Sequence, residues 1–266
     1  MSTIVNVAPS FLTLPGRTAK PRCTGITHVL DNGLPVSTAE ALLGVCADHV
    51  DVWKLGWGTA YLDPGLPAKL ALLAGAGVLA CAGGTLLEVA WQQDAVEPFL
   101  DWAQEVGFPC VEVSRGVADM PLAAKQALVA RAAERFTVLA EVGAKDPAAV
   151  VDPHAWGVEA AGDRASGATW VVTEGRESGT IGLFAPDGSV RGDVVDAVVA
   201  AVGIGTTVFE APRKEQQAWL VRRFGADVNL ANIAPADVLG VEALRLGLRA
   251  DTFSGSPRHS AARGPG

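Results

Sequence analysis

The stretch VEPFLDWAQEVGFPCVEV (residues 96–113) carries the unit from which the chain is built. Val96, Phe99, Leu100, Ala103 and Val106 recur at helical spacing and form one apolar stripe. A short turn later, Cys110–Val113 is an apolar run of strand length that carries a single carboxylate, Glu112. Seven more strand-like runs share this character: Ile26–Leu30, Val52–Leu55, Val78–Cys81, Thr137–Ala140, Trp170–Thr173, Thr207–Phe209 and Val228–Leu230. Segments of helical periodicity separate them. Ala39, Leu42, Leu43 and Cys46 form one stripe, with Ser37 and Thr38 as candidate N-caps. Ala218, Val221 and Phe224 form another, followed by Gly225 as a candidate C-cap.

Strands that alternate with helices imply a parallel sheet, because parallel neighbours need long crossover connections. Eight units at roughly 33 residues each suit the closure of a single (β/α)8 barrel in a chain of 266 residues. The rival is an open doubly wound sheet. Its glycine fingerprint is present as Gly75-Ala-Gly77-Val-Leu-Ala80, but here a helix precedes the motif and a strand follows it. A phosphate-binding loop needs strand, loop and helix in that order, so the motif reads as a helix-to-strand turn. The expected organisation is an N-terminal extension over 1–20, a barrel over 21–253, and a disordered Gly/Ser/Pro-rich tail over 254–266 that holds His259.

Composition narrows the function. With 29 acidic against 21 basic residues, the net charge is −8, which argues against non-specific nucleic-acid binding. A single tyrosine and 6% aromatics are also few for base stacking. Leu70–Leu87 runs 18 residues without a charge, yet Gly75, Gly77, Gly83 and Gly84 divide it, so no membrane span is expected. Met1–Arg17 lacks a secretory pattern, and the four dispersed cysteines suit a reducing, cytoplasmic setting.

In a barrel of this kind, the chemistry gathers where the strands end. The polar residues at those ends are Asp31, Lys54, Gly83-Gly84-Thr85, Glu112, Glu141, Glu174, Glu210 and Asn229/Asn232. Four carboxylates brought together raise one another's pKa unless cations intervene. Oxygen donors without cysteine or histidine point to Mg²⁺. Lys54, Lys145 and Arg176 are available as cations, and glycines at the same ends let backbone N–H groups approach a phosphate. His28, within the first strand, reads as a core or rim histidine.

Several segments together are specific. They are Gly25-Ile-Thr-His-Val-Leu-Asp-Asn-Gly33, Lys54-Leu-Gly-Trp-Gly-Thr59, Gly83-Gly-Thr-Leu86, Glu141-Val-Gly-Ala-Lys145 and Glu174-Gly-Arg-Glu-Ser-Gly179. Phe209-Glu-Ala-Pro212, Val228-Asn-Leu-Ala-Asn-Ile233, Leu244-Arg-Leu-Gly-Leu-Arg249 and Asp251-Thr-Phe253 continue the series. In order and spacing, residues 17–253 resemble the phosphosulfolactate synthases. The resemblance implies a (β/α)8 barrel that adds sulfite to phosphoenolpyruvate with Mg²⁺, a carbon–sulfur lyase reaction, in a cytoplasmic homo-oligomer. It makes Lys145 the proton donor and Glu112, Glu141 and Glu174 the metal shell. Arg22, Lys54 and Arg176 become anion clamps, with Asn229 a further substrate contact. Two positions depart from the family pattern: Arg115 stands where a carboxylate is common, and Asn32 where a lysine is common. They leave two alternatives, a barrel enzyme using a different nucleophile on an enol phosphate, and a non-catalytic, stress-related relative.

Overall fold

The computed structural model describes residues 11–143 and 150–253. Eight strands close a parallel barrel in sequence order. They are β1 (Thr27–Asp31), β2 (Val52–Leu55), β3 (Leu79–Ala82), β4 (Cys110–Val113), β5 (Thr137–Val142), β6 (Trp170–Thr173), β7 (Thr207–Glu210) and β8 (Asn229–Ile233). Ten α-helices lie among the described residues. They are α1 (Val36–Cys46), α2 (Thr59–Leu62), α3 (Leu66–Gly75), α4 (Gly84–Gln92), α5 (Val96–Val106), α6 (Leu122–Ala133), α7 (Pro153–Ala165), α8 (Gly192–Val202), α9 (Lys214–Phe224) and α10 (Val238–Arg245). The expected (β/α)8 barrel is therefore the fold, and each expected strand coincides with an observed one to within three residues at either end.

The unit read from 96–113 forms as its pattern dictates: the stripe becomes the buried face of α5, and β4 spans Cys110–Val113. Gly225 caps α9 as expected. At α1 the outcome differs. The helix begins at Val36 with Pro35 as its N-cap, so Ser37 and Thr38 lie inside its first turn. Proline there sets the entry angle through its fixed φ, and no side chain caps the helix. The uncharged stretch 70–87 divides among α3, β3 and α4, and no helix among the described residues is long and apolar enough to cross a membrane.

Two apolar layers hold the barrel. Outward-facing strand residues such as Val29, Trp53, Val111, Val138 and Phe209 pack with the helices in the larger core. Inside the barrel, each strand contributes one residue to a second cluster: Ile26, just before β1, then Val52, Cys81, Cys110, Leu139, Val172, Val208 and Ala231. Because strand side chains alternate, the next inward position lies two residues further along. On β4 to β7 that position holds Glu112, Glu141, Glu174 (just past β6) and Glu210, and on β1 and β2 it holds His28 and Lys54. A polar ring thus rests on an apolar floor.

At the N-terminal side, Arg17 ties the segment before β1 to the barrel through Asp227 at 3.0 Å and Glu242 at 3.1 Å. The expected tail over 254–266, with His259, lies outside the described residues.

Candidate active site

The polar ring opens into a cavity of about 280 Å³ at the C-terminal end of the barrel. Its lining includes Lys54, Glu112, Glu141, Glu174, Arg176, Glu210 and Asn232, with Gly83, Gly84 and Thr85 at the start of α4. Trp57 and Val117 form apolar parts of the wall. This volume lies just under the roughly 300–1,000 Å³ typical of drug-sized ligands, and so suits a small metabolite.

Lys54 stands at the centre. Its Nζ donates to Glu112 Oε2 at 2.8 Å and to Glu210 Oε1 at 3.2 Å, and all three side chains are buried. Burial alone would lower the Lys54 pKa, but the carboxylates of Glu112, Glu210 and Glu141 outweigh it and hold the ammonium well above its usual range. The side chain is thus held as the ammonium cation. Glu210 shows the converse. Burial raises its pKa above the normal carboxylate range, despite Lys54, and Glu141 and Glu112 push in the same direction.

The backbone fixes the carboxylates. Gly175 N–H and Arg176 N–H donate to Glu210 Oε2 at 2.9 and 3.1 Å, and Arg176 N–H also donates to Glu174 Oε1 at 2.7 Å. Gly84 N–H donates to Glu112 Oε1 at 3.0 Å. A Cβ on Gly84 would fall 2.3 Å from Ser114 Oγ and 2.9 Å from Ser114 Cβ, so glycine is what admits this approach. Of the four non-glycine residues with positive φ among the described residues, three line the cavity: Trp57, Arg176 and Asn232, at 53°, 49° and 54°. Such backbone costs of order 1–3 kcal/mol per residue and gathers at functional sites.

Oxygens of Glu112, Glu141 and Glu210 lie within 4.8 Å of one another and form a set that could hold a cation. The sequence places Glu174 in the metal shell, whereas the closest grouping of carboxylates contains Glu210. Glu174 lines the same cavity, but the closest grouping joins β4, β5 and β7. Glu210 was already visible as a strand-end carboxylate; its membership depends on barrel geometry. The all-oxygen donor set fits a hard divalent ion.

Two expected substrate contacts lie elsewhere. Arg22 sits at the opposite end of the barrel, with Nε 3.4 Å from Asp51 Oδ1 just before β2. Asn229 opens β8 and secures its start: Oδ1 accepts from Ile26 N–H at 3.0 Å, and Nδ2 donates to the carbonyls of Gly205 and Thr207, each at 3.0 Å. Both belong to the ends where strands begin. Asn232, three residues beyond Asn229, is the β8 asparagine that lines the cavity. Lys145 lies outside the described residues.

The two departures from the family pattern also resolve. Arg115 points at α7 and pairs with both oxygens of Glu159, at 3.0 and 2.7 Å. Asn32 is exposed and not part of the cavity lining. Its neighbour Asp31 is turned away as well, accepting from Trp53 Nε1 and pairing with Lys69, each at 3.0 Å.

The sequence pattern of the (2R)-phospho-3-sulfolactate synthase family matches residues 15–251. This chain belongs to the phosphosulfolactate synthase family. A relative from Bacillus subtilis, itself called phosphosulfolactate synthase, is 38% identical over 245 residues, covering 91% of this chain and 97% of its own. One of the same name from Methanocaldococcus jannaschii is 40% identical over 237 residues, covering 86% and 94%. Among solved structures, the chain is similar to 3-hexulose-6-phosphate synthase from Salmonella typhimurium, with a TM-score of 0.56 at 14% identity, covering 84% of this chain and 99% of that one. That likeness concerns the barrel alone. Family membership covers the whole barrel, including every strand end described above.

Proposed function

We propose that the protein joins sulfite to phosphoenolpyruvate to form phosphosulfolactate, with Mg²⁺ as the cation. The observation that carries this reading is the buried Glu112–Glu141–Glu210 trio beside the Lys54 ammonium, in a small cavity of a chain of this family. In the reaction, the sulfur lone pair of sulfite forms a bond to the methylene carbon of phosphoenolpyruvate. The carbon–carbon π pair moves toward the substrate carboxylate, and a proton then adds at the phosphate-bearing carbon. Atoms and charge balance without any redox partner.

Glu112, Glu141 and Glu210 would hold the divalent ion, which supplies positive charge against the negative charge developing on the substrate carboxylate. Lys54 holds the carboxylates at fixed separations and contributes positive potential to the cavity floor. At the start of α4 the N–H of Gly83 is taken by the Leu55 carbonyl and that of Gly84 by Glu112, so a phosphate would meet the positive end of the helix at Thr85. Arg176 adds a guanidinium at the rim. Lys145 is proposed as the proton donor from the family motif that holds it.

Protein, Mg²⁺ and phosphoenolpyruvate mixed with and without sulfite, followed by ³¹P NMR, test the reaction. A new phosphorus signal that needs both sulfite and a divalent cation is expected. Its absence with active-site residues intact overturns the proposal. A different nucleophile was favoured only by Arg115 and Asn32; with Arg115 engaged by Glu159, no observation supports that alternative.

A further inference from the structure

The closing pair of strands contains an irregularity. Thr27 on β1 pairs with Leu230 on β8, whereas Val29, two residues on, pairs with Ile233, three residues on. One extra residue is thus accommodated on β8, a β-bulge. The side-chain alternation slips at the same place. Ala231 faces the barrel interior and Ile233 joins the outer core, although two residues apart they should share a face. Asn232, between them, takes the left-handed φ of 54° and turns into the cavity.

A bulge leaves a backbone N–H without its ladder partner. Here His28 supplies one: Asn232 N–H donates to His28 Nδ1 at 3.3 Å. His28 is fully buried, and burial together with the nearby Lys54 charge keeps its ring neutral, although Glu141 pulls the other way. With Nδ1 accepting, the ring proton lies on Nε2. Asn232 Oδ1 is buried and without a hydrogen-bond partner among the described residues. As an acceptor, Oδ1 would be satisfied by a donor or a cation, whereas an anion would be met by the N–H groups of Nδ2 on the same carboxamide, which the broad terminal torsion can exchange with Oδ1.

We propose that Asn232 is a substrate-binding residue for the phosphoenolpyruvate-type anion, and that His28 is its positioning residue, holding the bulge that aims the carboxamide into the cavity. The terminal torsion of asparagine is broad, so the carboxamide can turn to present its N–H₂ to an anionic oxygen. The inference rests on the proposed reaction only for the class of ligand. Neither residue was assigned a role in recognition by the sequence, where His28 reads as core and Asn232 as a strand-end polar residue.

The test is calorimetric titration with phosphoenolpyruvate in the absence of sulfite, so that no turnover intervenes. Asn232→Asp keeps a residue type that tolerates positive φ but places a negative charge against the anion. Binding is expected to weaken by about tenfold or more, and by several-fold in Asn232→Ala. Asn mimics the Nδ1 acceptor of histidine, so His28→Asn should bind within about twofold of wild type, while His28→Leu should resemble Asn232→Ala. If His28→Leu does not fold, His28→Gln, whose amide oxygen lies one bond too far out, takes its place. Equal affinity in wild type and Asn232→Asp overturns the substrate contact. Equal affinity in the two His28 variants overturns the positioning role, and a wild type that does not bind phosphoenolpyruvate overturns the ligand class. Wild type that binds phosphoenolpyruvate but makes no sulfite-dependent product sinks the proposed reaction and leaves this assignment standing.

Discussion

Lys54 and Glu112 are 58 positions apart in the chain, yet Lys54 Nζ lies 2.8 Å from Glu112 Oε2 inside the barrel. They meet because each occupies the second inward position of its strand, above Val52 and Cys110 of the apolar floor. Glu210 reaches the same ammonium from β7. Neither pairing follows from chain proximity; both follow from closure of the sheet.

Removing the Lys54 charge tests that arrangement. Lys54→Met takes the ammonium away from the buried Glu112 and Glu210, and loss of one partner of a buried ion pair costs about 3–5 kcal/mol. Urea unfolding should show a loss of this order together with loss of product formation. Wild-type stability in the variant would mean that the carboxylates do not depend on Lys54.

The identity of the third carboxylate is open to direct comparison. Mn²⁺ binding, followed by electron paramagnetic resonance, should weaken by about tenfold or more in Glu210→Gln and far less in Glu174→Gln. The reverse order would restore Glu174 to the set and remove Glu210.

Arg115 provides a contrast. Its guanidinium pairs with Glu159 and its side chain is about one-third exposed, so the pair is worth about 1 kcal/mol or less. Arg115→Ala should lower thermal stability slightly and leave KM for either substrate within about twofold of wild type. A large, selective rise in KM for sulfite would show that Arg115 reaches the substrate.

Behind β5, Lys125 Nζ donates to the Glu141 carbonyl at 2.6 Å, to Glu159 Oε1 at 2.7 Å and to Asp163 Oδ2 at 2.6 Å. Burial raises Asp163 from 3.8 to about 6, with Lys125 opposing the shift. A folded pKa above the unfolded one means that the folded state holds the proton more tightly. The contribution to stability is complete below about pH 4 and is lost as pH rises to about 6, by a few kcal/mol at most. Asp163→Asn cannot ionise. The stability of wild type relative to this variant should therefore decline between about pH 4 and 6 and then level off, as measured by urea unfolding at several pH values. A difference constant across that range would contradict the raised pKa.

Much of this protein is written in local pattern. The stripe at 96–106 and the run at 110–113 form α5 and β4 because periodicity decides which face of an element can be buried. Eight such units fold as a closed barrel, and position alone marks the strand-end carboxylates and Lys54. Which of them converge could not. Exchange of Glu174 for Glu210 in the closest trio depends on the angular placement of β6 and β7 around the barrel, a property of sheet closure that no single segment contains. Arg22 and Asn229 were misplaced for a related reason: a residue near a strand can belong to either rim, and the hydrogen-bonding partners that decide come from distant segments. The roles of His28 and Asn232 were least legible. A bulge arises from the register between the first and last strands, and that register exists only once the chain has come round to meet itself.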